Sequence, residues 1–327
     1  MTRPAIDIQD LTKDYAVGFW RRRPYRALDR LTLSIDTGEV FGFLGPNGAG
    51  KTTTLKLLMQ LIYPSSGRAE ILGKPVGDVA TRHRIGYLPE NPYFYDYLTA
   101  EELLLYFARL FGISASDRRT RVAGLLDKVG IGRERRFQLR KFSKGMIQRV
   151  GIAQALLNEP EVVFLDEPMS GLDPLGRRDV RNLILELRDQ GRTVFFSSHI
   201  LSDAETLCSR VAVVAGGRLA AAGRLSDMAQ FKVRAWEIVA ANLSPASIDR
   251  LRPVATHVTP IGNDRYTIEI PLSYAPERFI PELAAAGGTL VSVNPVRETL
   301  EEFFFQRIAE AGQGARAETA ASRHAQR

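Results

Sequence analysis

Two carboxylates stand side by side at Asp166 and Glu167, closing the apolar run VVFLD. Neighbouring side chains at a strand end point in different directions, so adjacent acids can take different tasks. One can serve a hard cation, and the other can orient or deprotonate a water. Far upstream, Gly45-Pro46-Asn47-Gly48-Ala49-Gly50-Lys51-Thr52 fits the pattern G-x-x-x-x-G-K-[ST], with Thr53 following. Glycines in such a loop let backbone N–H groups curl around phosphate oxygens. Lys51 reaches the outer phosphates, and the Thr52 hydroxyl suits Mg²⁺. Loop and acid pair together are the parts that hydrolysis of a nucleoside triphosphate requires. The loop alone does not name the machine, because kinases, switches, motors, helicases and pumps all grip phosphate in this way.

Positioning such groups needs strands and helices, and the pattern supplies them. The apolar run VFGFL at 40–44 enters the glycine loop, and TTTLKLLMQLI has helical spacing at Leu55, Leu58, Met59 and Ile62. The order strand, loop, helix places a positive helix end at the phosphates. PSSG at 64–67 reads as a turn and RIGYLPE at 84–90 as a strand. From about 92 to 150 the pattern is mostly helical, with Thr99 and Glu102 forming a capping box. EVVFLDEP, then TVFFSSH at 193–199, read as buried strands, separated by a helix that Asp173-Pro174 opens and Gly191 closes. RVAVVAGGRLAAAG reads as strand, turn, strand. Near 225 the character changes. RAWEIVA and RYTIEI alternate with period two, and PERFIPELAAAGG and TLEEFFFQRIAEA have helical spacing, the latter with Thr299 and Glu302 as a second capping box. The expected organisation is a main domain over 1–225, a small α+β domain over 226–310 and a disordered tail over 311–327.

The chain has 327 residues, 45% hydrophobic and 25% charged, with a net charge of +7. That is ordinary globular composition, mildly basic, permitting an acidic partner without demanding one. The single cysteine, Cys208, excludes an internal disulfide and cysteine-cluster metal sites, and reads as a small buried hydrophobe. No signal peptide and no run of transmembrane length is visible, so the expectation is a soluble intracellular protein unless something else holds it to a membrane.

Three further pieces narrow the class. KFSKGMIQRVGIAQALL (141–157) precedes the acidic strand, SGLDP (170–174) follows it, and SSH ends at His199. With the phosphate loop and LPE at 88–90, this order resembles the nucleotide-binding subunit of an ABC transporter, over about residues 5–225. The resemblance implies an α/β fold: a P-loop NTPase core of the ABC ATPase type, with a helical subdomain at about 92–150 and the small C-terminal α+β appendage.

It also implies roles. Lys51 and the amides of residues 45–53 bind the β- and γ-phosphates of ATP, while Thr52 and Asp166 serve Mg²⁺. Glu167 is the catalytic base, and His199 senses the γ-phosphate and positions the water. Asp173 lies in a loop that communicates across a dimer. Ser143, Lys144 and Gly145 belong to a signature loop that contacts the ATP of the opposite subunit; a serine hydroxyl and glycine amides at a helix N-terminus suit an anion. The sequence departs from the common pattern twice. The signature reads Phe142-Ser143-Lys144-Gly145-Met146, and the position after the second strand is Glu90 instead of glutamine. Both variants resemble exporters of drugs, polysaccharides or lipids. A carboxylate at 90 cannot donate as an amide does, which changes the Mg²⁺ and water geometry. Lys144 either helps hold the γ-phosphate or points to solvent. The resemblance stacks an aromatic on adenine: Tyr15 matches best after LTKD, with Tyr25 as a rival.

As a transport ATPase, the chain pairs as a homodimer or heterodimer and works with an integral-membrane permease on a separate chain, peripheral at the cytoplasmic face of the cell membrane. No specific nucleic acid is expected. The tyrosines of YFYDY (93–97) lie where such subunits dock a permease helix, although core packing also explains some of them. The basic aromatic stretch GFWRRRPYR (18–26) reads as a solvated loop, a membrane contact or a nucleic-acid contact. The alternatives are a non-transport ABC ATPase acting on ribosome or nucleic acid, and a P-loop kinase. The first class usually carries two cassettes or long coiled coils, and the second leaves Ser143, Gly145 and His199 without a role. Cargo, the direction of transport and the purpose of 226–310 are not legible.

Overall fold

The computed structural model describes residues 3–17, 23–228, 233–262, 264–297 and 302. Most of the 18–26 stretch, the Thr299 capping box and the expected disordered tail lie outside the described residues. The chain divides into a large unit within residues 1–226 and a smaller one, Asp227–Phe305.

In the large unit, β1 (Ile6–Val17) and β2 (Arg23–Ile35) pair as a long antiparallel hairpin, much longer than the short strands expected at 5–8 and 31–35. β3 (Val40–Leu44) runs into the phosphate loop and α1 (Lys51–Leu58). The helix stops before Ile62, where its apolar spacing had suggested an end, because Gln60 adopts a left-handed φ of 53°. β4 (Ser66–Ile71), which absorbs half of the expected turn, and β5 (Lys74–Pro75) complete a four-stranded antiparallel sheet ordered β2-β1-β4-β5. Gly67 is required there: a Cβ on it would lie 2.2 Å from the Asp10 carbonyl oxygen. After the single turn α2 (Val79–Arg82) comes β6 (Ile85–Leu88). The helical stretch resolves into α3 (Ala100–Leu110), α4 (Ala115–Lys128) and α5 (Lys144–Leu156), with both arms of the Thr99–Glu102 capping box present. Then follow β7 (Val162–Asp166), α6 (Pro174–Asp189), β8 (Thr193–Ser198), α7 (Leu201–Leu207), β9 (Arg210–Ala215) and β10 (Arg218–Arg224).

The central sheet has the order β10-β9-β3-β8-β7-β6, parallel apart from β10. Every residue of β3, β7 and β8 is buried, as parallel strands covered on both faces must be. Phe41, Phe43 and Phe164 pack around Phe195, with ring centroids 5.2–5.9 Å apart. In open α/β sheets, ligands bind beyond the carboxyl ends of the strands. Here the register aligns those ends: Leu44 pairs with Ser198, Ser197 with Asp166, and Leu165 with Leu88. Gly45, His199, Glu167 and, two residues past β6, Glu90 therefore emerge along one sheet edge.

In the smaller unit, α8 (Leu225–Met228) is a single turn whose last two residues begin the unit. β11 (Val233–Ala241), α9 (Pro245–Leu251), β12 (His257–Gly262), β13 (Arg265–Pro271), α10 (Pro276–Ala285) and β14 (Thr289–Arg297) then form an antiparallel sheet ordered β12-β13-β11-β14. Its core joins Ile238, Ile268 and Ile270 to Phe279 and Leu283 of α10. β12 and β14 alternate only over short stretches, interrupted by Pro260 and Gly262 in β12 and by Pro295 in β14.

Candidate functional site

Lys51, at the first position of α1, folds over its own loop. Its Nζ donates to the Gly45 carbonyl at 2.7 Å and to that of Pro46 at 3.3 Å, and lies 3.3 Å from Glu167 Oε1. Only glycine fits at two loop positions. A Cβ on Gly45 would meet the Val214 carbonyl oxygen at 2.3 Å, and Gly50 has a φ of 105° with the Ala27 carbonyl oxygen 2.7 Å from a would-be Cβ. Asn47, Gly48 and Ala49 complete the curl ahead of the helix N-terminus, and Thr52 and Thr53 follow Lys51 in its first turn.

The two carboxylates do diverge. Asp166 is fully buried, and Oδ1 accepts a 2.6 Å hydrogen bond from the Ser197 hydroxyl. Its Oδ2 is buried with no hydrogen-bond partner. Burial pushes the Asp166 carboxyl above its ordinary value. The nearby Glu90 carboxylate adds to this, and the hydroxyls of Ser197 and Thr52 with the Lys51 ammonium oppose it. A buried carboxylate oxygen left without a donor, near a hydroxyl and a second acid, is a place for a hard cation. Among the described residues no three His, Cys, Asp or Glu side chains gather into a closed metal cage. An ion such as Mg²⁺, held by Asp166 and Thr52 with Glu90 nearby, would take its remaining ligands from phosphate and water, as Mg²⁺ prefers. Asp166→Asn should therefore unfold about 2–10 °C higher than the parent without nucleotide, since it removes a buried negative charge with one oxygen left without a donor, while abolishing hydrolysis. Thermal unfolding checks this, and an unchanged or lower midpoint contradicts it.

Glu167 sits at a φ of 50°, a left-handed conformation uncommon for a side chain of this size. Two contacts hold it there: its N–H donates to the Ser197 hydroxyl at 3.0 Å, and its carbonyl accepts from Gln148 Nε2 at 3.4 Å. The conformation turns the carboxylate toward His199, whose Nδ1 is 2.9 Å from Oε2. Glu167 is thus gripped between an ammonium and an imidazole.

Asp203, Ser197 and Gln148 were not legible as site residues. Asp203 is buried at the start of α7. Burial pushes its carboxyl up, while Arg177 and Arg181 of α6 pull it back. With Glu167, Ser198 and His199 it lines a cavity of about 10 Å³, room for roughly one water. Its only sequence signal was a position one helical turn past His199.

Ser143, Lys144, Gly145 and Asp173 form a second cluster. The Ser143 hydroxyl caps α5 by accepting from the Met146 N–H at 3.2 Å. Asp173 caps α6 by accepting from the Gly176 N–H at 2.8 Å. The Lys144 stem lies against Gly171. These residues line an open cleft of about 670 Å³ that includes none of residues 45–53. Tyr15 and Tyr25 are cross-strand partners in the hairpin, hence on one face of it. Tyr15 is half-buried, with Lys13 Nζ 5.2 Å from its ring centroid, and Tyr25 is exposed. Cys208 is buried behind the sheet, where burial raises its thiol. Among the described residues no helix is long and apolar enough to cross a membrane.

The family model described as ABC transporter matches residues 28–170. An ABC transporter ATP-binding protein of Synechocystis sp. is 42% identical over 94% of this chain and 85% of its own length. The bacitracin transport ATP-binding protein BcrA of Bacillus licheniformis is 42% identical over 65% of this chain and 68% of its own. Among solved structures, the ATP binding subunit of an ABC transporter superposes with a TM-score of 0.61 at 34% identity, covering 68% of this chain and 91% of its own. A dimeric cassette in a post-hydrolysis state bound to ADP and Pi superposes with a TM-score of 0.61 at 27% identity, covering 67% of this chain and 98% of its own.

Proposed function

The chain belongs to the ATP-binding subunits of ABC transporters, an ATP-hydrolysing family, and from that premise we propose that two copies close on two ATPs and drive export through a separate permease. One observation carries this reading. The phosphate loop, both carboxylates and His199 meet at one sheet edge, whereas Ser143, Lys144 and Gly145 line a different cleft. A signature loop unable to serve its own phosphate loop suits a second copy's ATP.

In the closed pair, Lys51 exchanges its loop carbonyls and Glu167 for the β- and γ-phosphates. Mg²⁺, when bound, neutralises phosphate charge. Glu167, released from Lys51, accepts the proton of the attacking water, and His199 keeps its carboxylate aimed. Asp203 lines the same small cavity as His199 and Glu167 and favours a positive imidazole there. Tyr15 stacks on adenine with Tyr25 beside it, and the Ser143 hydroxyl and Gly145 amide meet the partner's γ-phosphate. Export is the direction suggested by relatives named for bacitracin transport and Nod factor export, together with the Glu90 and FSKG variants. The permease docks at the strip of exposed tyrosines 93, 95 and 97, and the subunit works at the cytoplasmic face of the membrane.

Affinity purification from solubilised membranes tests this. An integral membrane protein should accompany the chain; recovery with ribosomes instead would contradict the transport reading and support the nucleic-acid alternative.

A further inference from the structure

Residues 92–150 hold twelve Lys and Arg against six Asp and Glu, a net +6, whereas the rest of the chain, with 32 against 31, is nearly neutral. Almost the whole net charge thus lies in the helical segment, and the proposed reaction uses only Lys144 of it. Part of that charge is pinned in a specific place. Arg140 N–H donates to the Asp96 carbonyl and Leu139 N–H to that of Leu98, both at 2.9 Å, and Glu101 N–H donates to the Arg135 carbonyl at 3.0 Å. These bonds lay segment 133–140 alongside the tyrosine strip.

The surface so formed alternates bare aromatics with bare guanidinium groups. Tyr93 is 100% exposed, Tyr95 and Tyr97 60% each, and Phe137 55%. The Arg136 side chain is 78% exposed. Within 133–140 four arginines stand against one acid, Glu134, and the tyrosine strip adds Asp96. Glu101 stands 3.7 Å from Arg136 and 3.9 Å from Arg135, and Arg140 Nε donates to the neutral Gln138 amide oxygen. Positive charge is left uncompensated beside apolar rings with no core to bury them. Aromatics that sit at headgroup level and arginines that pair with phosphate are the composition of a membrane–water boundary. Contiguous exposed apolar groups of this kind mark a contact surface.

We propose that segment 133–140, through Arg133, Arg136, Arg140 and Phe137, binds anionic lipid headgroups directly around the docked permease. This rests on the reading that the adjacent tyrosines face the permease, since that contact brings the segment to the bilayer. A polyphosphate such as RNA offers the same anion, but the family's place at a membrane and the apolar Phe137 favour lipid. The subunit is then held by lipid as well as by its partner.

Flotation of the full chain with vesicles, in the absence of any permease, separates this proposal from the docking reading. At low salt the protein should float with phosphatidylcholine vesicles carrying anionic phosphatidylglycerol, stay behind with phosphatidylcholine alone, and be released by high salt. R133Q/R136Q/R140Q should weaken flotation roughly a hundredfold, at about fivefold per arginine. Removing three exposed arginines elsewhere, R68Q/R178Q/R250Q, should not. Arg136→Gln alone, at a site too exposed to disturb folding, should weaken it several-fold. Basal ATP hydrolysis should be unchanged in the triple variant. Equal binding to neutral vesicles, parental flotation of the triple variant, or an equal loss in the control variant would each overturn the proposal. So would displacement from anionic vesicles by single-stranded RNA of equal phosphate content, which would make the surface a nucleic-acid site.

Discussion

Glu167→Gln should bind ATP as well as the parent or more tightly, yet hydrolyse it about a thousandfold more slowly. The substitution keeps the shape of the side chain and the oxygen facing His199, and removes only the capacity to take a proton. It also frees Lys51 from a carboxylate, since its Nζ lies 3.3 Å from Glu167 Oε1. The phosphates then compete with the neutral Gly45 and Pro46 carbonyls for the ammonium and no longer with a carboxylate. The variant should accumulate as an ATP-bound dimer, visible by size-exclusion chromatography with light scattering. Parental turnover would mean that another group removes the proton, such as Asp203, which lines the same cavity.

Lys51→Ala should fail at an earlier step. The ammonium is 6% exposed and occupies the centre of the loop. Charge-assisted hydrogen bonds to phosphate are each worth about 1.5–3 kcal/mol, so ATP affinity should fall about a hundredfold. The fold should survive, because the loop is shaped by Gly45 and Gly50 and anchored by the Gly45 N–H to Ser198 carbonyl bond at 3.3 Å. Binding of a fluorescent ATP analogue measures this directly; unimpaired binding would remove Lys51 from the phosphate site.

The parts of this site that were legible in the sequence share one property: their chemistry is written locally. The phosphate loop, the Asp166–Glu167 pair and the caps at Thr99 and Asp173 each lie within one short stretch, and each forms in the structure from that stretch. What was not legible depends on chain segments meeting. Ser197 matters because β8 lies beside β7 in a register that sets its hydroxyl against Asp166. Asp203 matters because α7 returns toward α6, and no local pattern announces that. The left-handed turn at Glu167 is imposed from outside, by Ser197 and Gln148, on a residue that would not choose it. The arginines of 133–140 carry no local signal of a site; backbone bonds from Arg140, Leu139 and Glu101 are what place them beside the tyrosines. Tyr15 and Tyr25, rivals in the sequence, are cross-strand neighbours, because the hairpin is far longer than its alternation suggested.

The central claim is that each ATP site is shared between two copies, with the phosphate loop from one and the Ser143–Gly145 loop from the other. Mixing two inactive variants tests it most directly. Lys51→Ala retains an intact signature loop. Gly145→Asp retains an intact phosphate loop; its added Cβ meets the flexible end of Leu172 at 3.1 Å and the Gly171 carbonyl oxygen at an ordinary 3.5 Å, while its charge repels a partner's phosphates. Each alone should be inactive. Mixed in equal amounts, half the dimers are heterodimers with one complete site of two, so hydrolysis should reappear at roughly a quarter of the parental rate. A mixture as inactive as its components, or a Gly145→Asp variant that hydrolyses normally by itself, would contradict a shared site.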